Sequence, residues 1–172
     1  MTIPKPPSQP GCEWVEECIE SCDVDPVYVE ENGVRASFAN PRSRQICKIK
    51  YDGCYNRNAR DLKADFIVGL PNIVDVIVEL KGSDRKHARD QVESTLEKWR
   101  LSPIRFPKIV CLIVYGRLEG KERKAGRIPK MNSSNESLEL DFLRRNKTLL
   151  WVRESSAVHH RFAELLGRNN AE

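Results

Sequence analysis

Residues 74–84, VDVIVELKGSD, decide how this chain is read. Val74, Val76, Val78 and Leu80 alternate onto one face, as strand side chains do, and Ile77 gives an apolar residue to the other. The strand nevertheless ends in Glu79 and Lys81, a carboxylate and an amine on one face with Leu80 pointing away, and stops at Gly82. Just upstream, residues 64–70, ADFIVGL, form a second apolar strand that carries Asp65 near its start. A turn around Pro71-Asn72-Ile73 makes the two an antiparallel hairpin and sets Asp65 opposite Glu79. A slip of one two-residue step keeps both carboxylates on the same face.

Opposed residues of an antiparallel pair have Cβ atoms ~5 Å apart, and like charges there are destabilising. A divalent cation between the two carboxylates is the simplest remedy. Hard carboxylate oxygens suit Mg²⁺, which takes one or two protein carboxylates together with water and substrate phosphate oxygens, and Mn²⁺ is the expected substitute. The backbone carbonyl of Leu80 is a further candidate ligand. Asp52, which closes the preceding strand before Gly53, is a candidate third carboxylate and reads equally well as an Asp-Gly turn residue. Lys81 beside the ion could orient or deprotonate a water, or neutralise charge developing on phosphorus. Glu79 and Lys81 alone would be an ion pair of little energetic weight at a strand end; Asp65 on the same face tips the balance.

The next segment predicts a helix capped by Asp84 and running to about Arg100, with Ala88, Val92, Thr95, Leu96 and Trp99 on its buried stripe. Gln91 lies at the border of that stripe and near the carboxylates, within reach of the site or of a substrate phosphate. His87, one turn earlier, reads as an exposed helix residue.

EWVEECIESC (13–22) has helical spacing, and YVE with VRASF makes a hairpin around Glu31-Asn32-Gly33. Residues 45–51, QICKIKY, read as a strand with two competing apolar faces, Ile46 on one and Cys47, Ile49 and Tyr51 on the other. Residues 107–117, PKIVCLIVYGR, suit a strand buried on both faces. A polar, basic loop is expected over 117–137, a helix over 136–145, a strand over 148–153 and an amphipathic helix over 157–166. The order α-β-β-β-α-β, then β-α, predicts an α/β sandwich with a mixed sheet flanked by helices. One domain is expected over 12–167, after a flexible Pro-rich segment (1–11) and before a short tail (168–172).

The 172 residues are 40% hydrophobic and 31% charged, an ordinary globular composition. MTIPKPPSQPG at the start is neither a secretory signal nor an anchor, so the expected location is cytoplasmic. The six cysteines, Cys12, Cys18, Cys22, Cys47, Cys54 and Cys111, have no zinc-type spacing and read as free thiols, Cys47 and Cys111 inside the core. A metal gathered by Cys12, Cys18 and Cys22 is the minority reading.

Net charge is only +4, but it is unevenly spread. Residues 1–31 hold eight acids against Lys5. Arg42, Arg44, Lys48, Lys50, Arg57, Arg60 and Lys63 face only Asp52 and Asp61 between 40 and 63. A second basic stretch, 117–130, includes Arg123, Lys124 and Arg127. Two basic segments flanking the central strands suit a polyanion, although charge alone fits a solvated surface equally well.

Asp65, then Glu79-Leu80-Lys81, then Gln91 on the following helix, resembles the PD-(D/E)XK nuclease superfamily, the restriction-endonuclease-like fold. The matching segment runs roughly from Gln45 to Tyr115. The resemblance implies an α-β-β-β-α-β core, Mg²⁺ held by Asp65 and Glu79, and Lys81 assisting the nucleophilic water. A Gln at the position of Gln91 recurs in some branches. Ala64 stands where many members have proline. The acid that some members supply from the first helix could be Glu13, Glu16, Glu17 or Glu20.

The leading expectation is therefore a Mg²⁺-dependent nuclease, an endonuclease acting on DNA in preference to RNA, with the basic runs holding the backbone. The alternative is a catalytically silent protein of the same fold that binds nucleic acid or serves assembly. The acidic N-terminal segment would then dock a partner protein, and a homodimer is the other association to consider.

Overall fold

The computed structural model describes residues 18–40, 42–81, 84–116, 131–154 and 160–167. The Pro-rich start, the Arg123, Lys124 and Arg127 stretch, Cys12, Glu13, Glu16, Glu17 and the C-terminal tail lie outside them.

The hairpin quoted above forms as expected. Strand β5 (Phe66–Leu70) pairs antiparallel with β6 (Val74–Lys81), Leu70 opposite Val74 and Phe66 opposite Val78. Pro71 and Asn72 make the corner: Ile73 N–H donates to the Leu70 carbonyl at 3.0 Å, and Asn72 takes a φ of 62°. A proline followed by a residue that tolerates positive φ is the chemistry such a turn requires.

Around this hairpin the chain builds a six-stranded sheet in the order β1-β4-β5-β6-β7-β8. The remaining strands are β1 (Ile19–Cys22), β4 (Ile46–Lys50), β7 (Lys108–Tyr115) and β8 (Leu150–Glu154). The β1, β4, β5 and β6 neighbours are antiparallel, whereas β6, β7 and β8 run parallel. Helix α1 (Arg85–Trp99) connects β6 to β7, and α2 (Met131–Asn146) precedes β8. A separate hairpin of β2 (Val27–Glu31) and β3 (Val34–Phe38) turns at Asn32-Gly33, both at positive φ. A one-turn helix, α3 (Phe162–Leu165), follows His160, which is tied by backbone bonds to Ser37 and Ala39. The molecule is mixed α/β.

The sheet is covered on both faces, which explains the two competing apolar faces of β4. Ile46 joins Val76, Val78, Leu80, Val110, Leu112 and Val114 beneath the β2–β3 hairpin and α3. Ile49 and Tyr51 join Ile67, Ile77 and Ile113 under α1 and α2. Helix α1 buries Ala88, Val92, Thr95, Leu96 and Trp99, the stripe read from the sequence, and Asp84 accepts from His87 N–H at 3.0 Å as its cap. Asp75, polar near the start of β6, has a structural explanation. Its Oδ2 accepts from Trp99 Nε1 at 2.8 Å and from Phe106 N–H at 2.7 Å. Gly69, opposite it, leaves room for the Phe106 ring and the Asp75 carboxylate: a Cβ there would lie 2.7 Å from the ring and 2.8 Å from Asp75 Oδ1.

Four expectations are corrected. Ile19–Cys22 is an edge strand on β4, not part of a helix, because Ile19 to Cys22 pair with Ile49 to Ile46. Residues 131–135, expected in a loop, already belong to α2, whose polar start hides the helix from a hydrophobic pattern. The closing helix is shorter than 157–166, with Arg161 still extended. The thiols are not all free: Cys18 and Cys54 form a disulfide across 36 residues, while Cys22, Cys47 and Cys111 are free and buried. That bond removes Cys18 from any cysteine-ligated metal. Among the described residues no helix is long and apolar enough to cross a membrane.

Candidate active site

The site lies where β5 begins and β6 ends. The β5–β6 register, continued by one residue beyond Phe66 and Val78, brings Asp65 opposite Glu79. Asp65 is held there by its own backbone, whose carbonyl accepts from Tyr51 N–H at 2.9 Å and Asp52 N–H at 3.3 Å. Its Oδ2 accepts from Leu80 N–H at 2.7 Å. Leu80 thus contributes its amide to the site while its side chain is buried on the far face.

Both carboxylates are withdrawn from water, Asp65 at 9% exposure and Glu79 at 1%. Burial pushes the Asp65 carboxyl up to about 6; the Leu80 N–H and Lys81 oppose the rise, and Glu31 and Asp52 add to it. Burial pushes Glu79 up to about 8 and the neighbouring Asp65 charge adds to this, while Lys81 and the Asp65 backbone N–H oppose it. Among the described residues the Glu79 Oε2 is buried with no hydrogen-bond partner. An orphaned carboxylate oxygen inside a protein costs several kcal/mol when ionised, so it marks a place where a proton or a cation is needed.

Lys81 provides part of that charge. Its Nζ lies 3.6 Å from Glu79 Oε1 and donates to Gln91 Oε1 at 3.0 Å. Gln91 Nε2 in turn donates to the Lys63 carbonyl at 2.7 Å. Gln91 therefore fixes the lysine against the segment that leads into Asp65. Asp65, Glu79, Lys81 and Gln91, scattered over 27 residues of sequence, share one site.

Two other candidates are placed differently. Lys63 is buried, its ammonium on Asp52 Oδ1 at 2.8 Å and on the Asn56 carbonyl, so it braces the 51–65 loop instead of facing a polyanion. Asp52 is correspondingly neutralised by Lys63 and is not joined to Asp65 and Glu79. Among the described residues no three His, Cys, Asp or Glu side chains gather to hold a metal, so a cation here would rest on two carboxylates plus backbone, water or substrate oxygens. The buried, unpartnered Glu79 Oε2 beside the Asp65 carboxylate is a hard-donor set that fits Mg²⁺.

Of the remaining basic residues, Lys48 is paired with Glu20 at 2.7 Å and Lys50 with Glu31 at 3.0 Å. Arg42, Arg44, Arg57 and Arg60 are exposed. Arg57 Nε donates to the Cys54 carbonyl at 3.2 Å. His87 is exposed on α1, as expected.

Sequence reasoning missed Arg85, the first residue of α1. Its guanidinium stacks 4.4 Å from the Tyr115 ring centroid and donates to Asn135 Oδ1 at 2.8 Å. Tyr115 pairs with Lys81 in the β6–β7 ladder. The available signal was positional: a capped helix that begins four residues after Lys81 must start beside the site. Compared with protein-family models, with curated proteins and with solved structures, the chain matches none.

Proposed function

We propose that this protein is a metal-dependent nuclease of the PD-(D/E)XK type, with a restriction-endonuclease-like core, that hydrolyses phosphodiester bonds in DNA in preference to RNA. The observation that carries the reading is the Glu79 carboxylate, 1% exposed, with one oxygen lacking a hydrogen-bond partner among the described residues, set against the Asp65 carboxylate and the Lys81 ammonium. Asp75, the other buried carboxylate of β6, takes two protein donors on its Oδ2.

Asp65 and Glu79 would hold Mg²⁺, with the Leu80 carbonyl as an additional donor. When bound, the ion supplies a Lewis acid and a lowered pKa for water. Lys81 orients the attacking water and offsets negative charge on the phosphoryl oxygens. Gln91 keeps the lysine in line by accepting from Nζ and anchoring to the Lys63 carbonyl. Arg42, Arg44, Arg57 and Arg60 contribute sequence-independent backbone attraction that weakens with salt. Lys48 and Lys50 join them only by exchanging Glu20 and Glu31 for phosphates.

Cleavage of plasmid, single-stranded DNA and RNA with and without Mg²⁺ tests the reading. Asp65→Ala, Glu79→Ala and Lys81→Ala should each abolish Mg²⁺-dependent cutting. Cutting that survives in all three rejects it, and binding without cutting by the unaltered chain favours the catalytically silent alternative.

A further inference from the structure

The parallel strands β6, β7 and β8 end at the same edge of the sheet as Glu79 and Lys81, the edge at which α/β sheets present ligand sites. One strand over from Lys81, and on the same face, stands Tyr115. It is 9% exposed, so its ring is a fixed platform. Arg85 lies across that platform with its guanidinium 4.4 Å from the ring centroid, and Asn135 of α2 accepts from its Nη1 at 2.8 Å. Three elements converge to hold one cation: the start of α1, the end of β7 and the first half of α2. A surface arginine with only a solubilising role would not need two anchors from distant parts of the chain, since ordering so long a side chain costs rotamer entropy.

We propose that Arg85 is a phosphate-binding residue that grips a backbone phosphate next to the one being cleaved. This rests on the nuclease reading of Asp65, Glu79 and Lys81. A guanidinium held in a fixed plane presents a donor fork that matches two phosphate oxygens, whereas an ammonium acts as a point charge. The contact with Tyr115 holds the guanidinium over the strand next to that of Lys81, whose partner in the ladder is Tyr115. Arg85 thus sets where the strand lies relative to Lys81 and does no proton transfer.

The test uses the full chain and a short fluorescein-labelled DNA duplex in Ca²⁺, which permits binding without turnover, with affinity read across a salt series. Arg85→Ala should weaken binding ~10–100-fold, the worth of a charge-assisted hydrogen-bonded contact. It should also lower the slope of log affinity against log salt by about one phosphate. Arg85→Lys should keep the slope and lose affinity, because charge remains while the planar fork is gone. A purely structural role would change melting temperature and leave the slope alone. An unchanged slope and affinity in Arg85→Ala, with the unaltered chain binding and cutting DNA, overturns the assignment to Arg85 and leaves the nuclease reading standing. A lowered slope in a protein that never cuts in Mg²⁺ supports Arg85 as a phosphate contact and removes the nuclease reading. Failure of the unaltered chain to bind DNA or RNA removes both.

Discussion

Asp75 and Glu79 sit four residues apart on one face of β6, both almost fully buried, yet their surroundings are opposite. One oxygen of Asp75 receives the Trp99 indole N–H and the Phe106 amide, whereas one oxygen of Glu79 receives no donor from the described residues. The first carboxylate is part of the frame. The second is held in a state that the fold alone does not satisfy.

That contrast predicts opposite mutational outcomes. Asp75→Ala leaves the buried Trp99 donor and the half-buried Phe106 amide unpaired and opens a void, which should lower stability by ~2–5 kcal/mol in a denaturant titration. The protein that remains folded should keep the Mg²⁺-dependent cleavage proposed above. Glu79→Gln, which keeps the volume of this fully buried side chain, should do the reverse, with activity lost and stability not lowered.

The pH dependence of stability follows from the raised pKa values. In the unfolded chain these carboxyls ionise near 4, whereas in the folded chain Asp65 holds its proton to about 6 and Glu79 to about 8. Between these values the folded state binds more protons than the unfolded state, so metal-free stability falls as pH rises from about 4 to about 8. Glu79→Gln removes its share of that slope. Thermal scans in a chelator should find the variant more stable than the parent at pH 8 and close to it at pH 4, where the parent carboxyl is protonated.

Metal affinity should run the opposite way. A cation must displace the Glu79 proton, so Mg²⁺ or Ca²⁺ should bind more tightly as pH climbs toward 8 and release protons on binding. Calorimetry in buffers of different ionisation enthalpy measures that release. Added Ca²⁺ should also raise the melting temperature of the parent at pH 8 and not that of Asp65→Asn or Glu79→Gln.

Gln91 separates orientation from chemistry. Gln91→Ala frees the Lys81 ammonium and breaks the tie to the Lys63 carbonyl. Single-turnover cleavage should slow ~10–100-fold, in keeping with one lost hydrogen bond to a charged group, with little change in DNA affinity.

The Cys18–Cys54 disulfide joins the start of β1 to the loop that leads into Asp65. By loop-closure entropy a 36-residue separation corresponds to about 4 kcal/mol at most. Cys54→Ser, or reduction of the parent, should lower the melting temperature by an equivalent amount, with the buried Cys111 left unmodified by alkylating reagents in the folded state.

The sequence revealed most about the segments whose signals are local. The β5–β6 hairpin is written in a Pro-Asn turn between two apolar runs, and α1 in a 3.6-residue stripe behind an aspartate cap, so Asp65, Glu79, Lys81 and Gln91 could be assembled without coordinates. What depended on distant pairing was hidden. Trp14 to Cys22 has helical spacing, but Ile19 to Cys22 is drawn into an edge strand by β4. Cys18 gives no sign of Cys54. Lys63 belongs to a basic run, yet Asp52 and Asn56 turn its ammonium inward. Arg85 gains its meaning only from Tyr115 on β7 and Asn135 on α2.

The most direct test is anomalous diffraction from a crystal soaked in Mn²⁺ near pH 8. A single peak between the Asp65 and Glu79 carboxylates, within ~2–2.5 Å of an oxygen from each, is the expected result. No peak there at saturating Mn²⁺, with Glu79 Oε2 bonded instead to a protein donor, would contradict the assignment.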